Sequence, residues 1–232
     1  MPAPQEWEQQ ANKILAAARV WLPVNWRTMD YAYKYGDEHK LYLNVTNRCT
    51  NRCSFCVRYR TEGLCGSILW GGEEPDLRML QRAVRSHGEL ESFREFIWCG
   101  YGEPTFRLDL IQQAASWLRS CGAKIRLNTN GHACLIHGRD VMPELSKAVD
   151  EISVSLNAPD CQRYLELCRP FSDDVELPPR LFWEGMLDFL IRSPAYFENT
   201  QASVVEHALD RGEILRCKSL AASLGVSAFR VR

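Results

Sequence analysis

Leu41-Tyr42-Leu43-Asn44-Val45-Thr46-Asn47-Arg48-Cys49-Thr50-Asn51-Arg52-Cys53-Ser54-Phe55-Cys56 joins a strand-like run to a loop carrying three thiols at Cys-x3-Cys-x2-Cys spacing. A compact loop with that spacing can set three thiolates on three corners of one small iron–sulfur cluster, leaving the fourth iron without a protein ligand. Soft thiolates favour iron–sulfur clusters or zinc. Structural zinc takes four protein ligands, and no fourth stands within the loop. An open coordination position marks a reactive metal. The residues therefore read as a 4Fe-4S centre on Cys49, Cys53 and Cys56, with a partial zinc site or chance clustering as the rival readings.

Composition bounds the rest. A chain of 232 residues with 46% hydrophobic content can bury one good core. A net charge of −1 provides no field to steer it toward nucleic acid or an anionic membrane. The opening Met1-Pro2-Ala3-Pro4-Gln5-Glu6 lacks a basic start and an apolar run, and no apolar stretch is long enough to span a bilayer. Ten cysteines scattered through a full-sized domain point to reduced thiols and a cytoplasmic setting. Buried or incidental thiols are the common case, and Cys65, Cys99, Cys134, Cys161 and Cys168 are also placed where they could hold an auxiliary cluster.

Residues 1–36 read as an N-terminal helical extension, with Trp7, Ala11, Ile14, Ala18 and Leu22 at helical spacing and an amphipathic helix over Glu6 to Val20. Residues 37–232 read as the main domain. Strands are expected at Leu41–Thr46, Glu95–Cys99, Lys124–Asn128, Glu151–Leu156, Gln201–Glu206 and Val226–Val231. Helices are expected at Asp76–His87, Leu108–Cys121, Pro143–Val149, Arg180–Ile191 and Glu213–Leu224. This alternation predicts βα units on a parallel sheet, too few to close an eight-stranded barrel. The fold class is α/β, a partial (β/α)6 TIM-like barrel.

In such barrels the chemistry gathers at the C-terminal strand ends. The second strand runs into Gly100-Tyr101-Gly102-Glu103-Pro104, where glycines let backbone approach a ligand and Glu103 offers a charge for an ammonium group. The third ends in Leu127-Asn128-Thr129-Asn130-Gly131, and alternation in the fourth puts Ser153, Ser155 and Asn157 on one polar face. The loop Gly131–Asp140 brings His137 and Arg139 over the same mouth, as substrate or proton-shuttle groups or as solvated surface residues. Arg58, Arg60 and Arg169 read equally as anion binders or surface ion pairs.

The cysteine triplet with Phe55 before its last member, followed in order by Gly-Tyr-Gly-Glu-Pro, resembles the radical S-adenosylmethionine (SAM) enzymes. From about Tyr31 to Arg232 the chain is similar to the TatD-nuclease-associated group within them. The carrying residues include Tyr33-Lys34-Tyr35-Gly36, Arg126 to His132, Leu135-Ile136-His137-Gly138-Arg139, Ser153 to Asp160 and Cys168-Arg169-Pro170. The resemblance implies that the fourth iron takes SAM, that Phe55 meets its adenine, and that Gly100, Tyr101, Gly102 and Glu103 surround its amino group. Asn128, Ser153, Ser155 and Asn157 would then meet its ribose and carboxylate. It further implies an oxidoreductase-type radical reaction fed by a one-electron reductant such as flavodoxin or ferredoxin. The substrate, a small molecule or, for a glycyl-radical activase, a protein, stays open. The rival of another class is a non-catalytic iron–sulfur or zinc redox-sensing module.

Overall fold

The computed structural model describes residues 29–61, 63–172, 177–226 and 228–232. The helix expected over Glu6–Val20 lies outside them, as do residues 173–176. Nine strands are described: β1 Ala32–Lys34, β2 Lys40–Leu43, β3 Gly63–Leu64, β4 Ser67–Ile68, β5 Glu95–Trp98, β6 Lys124–Thr129, β7 Glu151–Ser155, β8 Asn199–Val204 and β9 Ala228–Val231. The helices are α1 Leu77–Arg85, α2 Leu108–Arg119, α3 Ala133–His137, α4 Met142–Ala148, α5 Cys161–Cys168, α6 Pro179–Arg192 and α7 Arg211–Ser223.

Six strands run parallel in the order β2-β5-β6-β7-β8-β9, matching the six expected from sequence. Strand β1, which the sequence did not announce, pairs antiparallel with β2 at one edge. The edge strands β1 and β9 are not paired with each other, so the sheet is a partial barrel. A separate hairpin, β3–β4, stands in the long connection between β2 and β5.

The alternation of each strand divides the sheet into two chemically different faces. On the outer face Leu41, Leu43, Phe96, Trp98, Ile125, Leu127, Ile152, Val154, Ala202 and Val204 are almost fully buried. They form one core with Leu110, Ile111 and Leu118 of α2, Leu145 of α4, and Phe182, Met186 and Phe189 of α6. Each such Leu, Ile, Val, Phe or Met side chain stabilises the fold by about 1.5–3 kcal/mol through burial. The concave inner face carries Tyr42, Arg126, Asn128, Ser153, Ser155, Gln201 and Ser203 instead, with Arg230 on β9.

Helix ends follow local chemistry. Asp76 caps α1 by accepting from the Met79 N–H at 2.7 Å. Asp210 and Glu213 form a capping box at the start of α7, with bonds of 2.7 and 2.9 Å. Gly225 takes φ +76° just past α7, the left-handed position that a glycine fills without strain.

Candidate functional site

The chain leaves β2 and is held at once by Asn44, whose side chain donates to the carbonyls of Asp30 and Leu69 and accepts from the Tyr101 N–H at 3.1 Å. The cysteine loop follows, and it is fastened on three sides. Backbone bonds run from Arg52 to the Cys168 carbonyl (3.0 Å), from Ser54 to the Leu167 carbonyl (2.8 Å) and from Phe171 to the Thr50 carbonyl (2.9 Å), so the end of α5 forms one wall. The Glu103 N–H donates to the Arg48 carbonyl at 2.7 Å on the opposite side. Arg58 is 7% exposed and donates to the carbonyls of Asn51 (2.8 Å) and Tyr101 (3.3 Å). Neither sequence reading of Arg58 holds: it is a buried staple of backbone carbonyls.

Behind the loop lies a polar network that the sequence did not reveal. The His132 N–H donates to Asn130 Oδ1, which turns the Asn130 amide nitrogen to Thr50 Oγ1 at 2.8 Å and toward Cys49 Sγ at 3.9 Å. Thr50 Oγ1 lies 2.7 Å from His132 Nδ1, and Tyr164 Oη lies 2.9 Å from Nε2. Thr50 accepts from Asn130 and Tyr164 accepts from the Asn51 amide at 3.3 Å, so either hydroxyl can donate to the ring nitrogen beside it while the other accepts from the ring N–H. The imidazole is fully enclosed, and burial pushes its pKa down to about 3. Between that value and the ordinary 6.5 the unfolded chain binds a proton that the folded one refuses. Stability is therefore full above pH 6.5 and falls as pH drops toward 3. Denaturant unfolding should show this group's loss as about 2 kcal/mol between pH 7 and 5. His132→Gln should start less stable at pH 7 and show a flatter acid dependence; an unchanged dependence would remove His132 as its source.

The three motif cysteines are free and half-buried. Burial, with the Glu103 charge next, pushes the Cys49 thiol up to about 12. A hydrogen bond with Cys168, followed by burial, raises Cys53, and burial raises Cys56. Held as neutral thiols, the three do not converge: among the described residues no three Cys, His, Asp or Glu side chains meet in metal-binding geometry. Cys49 accepts from the Asn51 N–H at 3.4 Å. The donor set still fits a cluster, because three uncrosslinked thiols share one stapled loop and binding iron would displace their protons. No auxiliary set of metal ligands is present among the described residues. Cys134 lies on helix α3, and Cys161 and Cys168 lie on α5.

The expected cofactor residues divide into two groups. Asn128 and Ser153 are register partners on the inner face, and Ser155 lies beside them opposite Ser203. Ser153 bonds Gln201 at 3.3 Å. Asn157 follows β7 with φ +55°, a strained conformation for a non-glycine residue, and its buried Oδ1 has no hydrogen-bond partner. Phe55 is half-buried against the main core.

The other group faces the protein itself. A Cβ on Gly100 would stand 2.0 Å from Asn44 Oδ1, and one on Gly102 would stand 2.4 and 2.5 Å from the carbonyls of Thr46 and Arg48. These glycines admit the cysteine loop's own backbone, where a ligand had been expected. Tyr101 is 3% exposed and bonds Thr61. Glu103 is 2% exposed, and its carboxylate accepts from the Thr105 N–H and hydroxyl, the Thr129 hydroxyl and the Asn130 N–H. Burial raises its pKa, and these neutral donors oppose the shift. Glu103 thus forms a buried tie between the ends of β5 and β6.

His137 and Arg139 do not reach a shared mouth. His137 Nε2 lies 2.8 Å from the Thr105 carbonyl, and Arg139 pairs with Glu144. Their segment meets the site through other residues. A cavity of about 720 Å³ has Cys49 and Thr50 on one wall, Cys134, Leu135 and Ile136 of α3 on another, and Phe106 and Phe182 beside them.

Residues 43–176, more than half of the chain, match the family model of the Radical SAM superfamily. The chain belongs to that superfamily. It is therefore an enzyme, and its cofactors are a 4Fe-4S cluster and SAM. A curated relative, ribosomal protein uS12 methylthiotransferase RimO of Acidovorax sp., is 23% identical over 195 residues, covering 76% of this chain and 41% of the relative. RimO of Leptothrix cholodnii is 27% identical over 106 residues, 41% of this chain and 23% of the relative. The chain thus spans less than half the length of either. Among solved structures it is similar to Streptococcus suis SuiB bound to SAM, with TM-score 0.57 and 16% identity over all of this chain and 44% of SuiB. TYW1 with a lysine-pyruvate adduct bound gives TM-score 0.55 and 14% identity over 96% of this chain and 80% of TYW1. These likenesses carry the fold. No helix among the described residues is long and apolar enough to cross a membrane.

Proposed function

We propose that this radical SAM enzyme directs its chemistry at a substrate seated on the concave inner face, with Cys49, Cys53 and Cys56 holding the cluster above it. The chemistry that a bound cluster and SAM would supply is reductive cleavage of SAM, with one electron from an external reductant, to methionine and a 5′-deoxyadenosyl radical that would abstract hydrogen from substrate. The chain's residues orient and shield. Asn128, Ser155 and Asn157 offer hydrogen bonds to SAM, and the stapled loop fixes the thiols relative to these side chains. The observation that carries the reading is Asn157: its Oδ1 is buried without a partner on a strained backbone at the end of β7. A buried unpaired acceptor costs about 1–3 kcal/mol, and a ligand hydroxyl would recover that cost. A flavodoxin- or ferredoxin-type reductant and a cytoplasmic setting complete the proposal.

Anaerobically reconstituted protein, reduced with dithionite, is expected to release 5′-deoxyadenosine slowly without substrate. Cluster-replete protein that never releases it would overturn the reading. Asn157→Ala should weaken SAM binding up to about tenfold, the worth of one hydrogen bond, in equilibrium binding.

A further inference from the structure

The inner face carries a concentration of positive charge that the cofactor residues leave unused. Arg230 and Arg232 stand two residues apart on β9 and its end, so they share a face. That face is the concave one. The Arg232 guanidinium donates to Ser155 Oγ at 3.1 Å, and Arg230 is the register partner of Ser203, itself the partner of Ser155. Phe229, between the arginines in alternation, packs toward the core on the other side.

Among the described residues two acids stand on this face: Glu95 is shared by Arg126 and Lys40 at 3.1 Å each, and Glu151, the register partner of Arg126, accepts from the Asn199 amide at 2.9 Å. Arg230 has no ion-pair or hydrogen-bond partner among the described residues, and Arg232 meets only the neutral Ser155 hydroxyl. Arg232 is exposed as a residue. Burial, with the neighbouring charges of Arg230 and Arg126, holds it below its usual range. Like charges gathered on a concave wall repel unless an anion joins them. Arginine's planar fork matches a carboxylate or phosphate in bidentate geometry.

We infer that Arg230 and Arg232, on the inner face at the end of β9, form the binding site for a carboxylate or phosphate group on the substrate. The inference rests on the proposed function for placing substrate on this face. SAM also bears a carboxylate, so the same chemistry has two sources that the experiment must separate.

Binding of inorganic phosphate, and separately of malonate, is measured by calorimetry on the full chain without cluster or SAM. This arm stands whether or not SAM is ever cleaved. At least one anion should bind, and Arg230→Gln and Arg232→Gln should each weaken it by about fivefold or more, the double variant further. Arg230→Lys should lose less than Arg230→Gln, because the charge remains while the fork is lost. Arg180→Gln removes the same charge from an exposed i,i+4 pair on α6 and should change anion binding by less than about twofold. Arg230 is exposed and unpaired, so its variants should keep the thermal midpoint of the parent. In cluster-loaded protein, saturating anion should leave SAM affinity within about twofold. No anion binding, or binding indifferent to both arginines, overturns the inference. Competition between anion and SAM, with both Gln variants losing SAM affinity about tenfold, also overturns it and assigns the arginines to SAM's own carboxylate.

Discussion

Gly102→Val should lose the iron centre and much of the fold's stability together. The added Cβ would meet the Thr46 and Arg48 carbonyls at 2.4 and 2.5 Å, and both are backbone atoms of the segment leading into Cys49. No rotamer relieves such a contact; the loop or the β5 end must move. Movement breaks the 2.7 Å bond from the Glu103 N–H to Arg48 and drags Glu103 from its four donors. The expected cost is about 3 kcal/mol or more, a fall of roughly 6–12 °C in thermal midpoint for a domain of this size. Iron and sulfide per chain after anaerobic reconstitution should fall in parallel. Gly102→Ala should show a smaller version of both, since its Cβ meets the same atoms. A Gly102→Val protein with full iron content, normal melting and weakened SAM binding would instead restore a ligand-approach role for this glycine.

The strands were legible because burial on one face repeats at period two. Leu41, Leu43, Phe96, Ile125, Leu127, Ile152 and Val154 write that pattern into the chain, and helices α2, α4, α6 and α7 fall within a few residues of expectation. Short elements escaped. Strand β1 has three residues, and α3 has five and no side-chain cap at its start. Helix α5 could have been found. Asp160 accepts from the Arg163 N–H, and Tyr164, Leu167 and Cys168 are buried at helical spacing, yet the cysteines and charges between them read as loop. Of the site, the three thiols and the polar strand ends were visible as residue types at fixed spacing. Orientation was not. A glutamate after two glycines looks the same in sequence whether it meets an ammonium group or the backbone N–H groups of its neighbours. Likewise, Phe229-Arg230-Val231-Arg232 reads simply as an alternating strand until Ser155 is found against Arg232.

Glu103 supplies the second large effect, because two substitutions separate its possible roles. Glu103→Ala strips acceptors from the Thr105 N–H, the Asn130 N–H and two hydroxyls in a site that is 2% exposed. Hydroxyl protons can turn elsewhere; the two N–H groups cannot. With the cavity added, the loss should be about 3–5 kcal/mol, enough to leave the domain partly unfolded at 37 °C if it begins with ordinary stability. Glu103→Gln keeps the volume and the oxygen that accepts from Thr105 and Thr129. Its amide nitrogen then faces the Asn130 N–H, donor against donor, where the carboxylate bond was 2.7 Å. That mismatch should cost about 1–3 kcal/mol. Asn130 is the link to Thr50 and Cys49, so the iron content of Glu103→Gln should fall with its stability. The carboxylate's pKa is raised by burial, so its ionisation opposes folding at neutral pH. The sign follows: that penalty is absent below the unfolded carboxylate range and grows as pH rises through the folded value. The neutral Gln variant lacks it, so the stability gap between parent and variant should be widest in mild acid and narrow toward neutrality. Were Glu103→Gln to melt like the parent and hold its iron while losing SAM affinity, the buried tie would be the wrong account and the ammonium-binding role the right one.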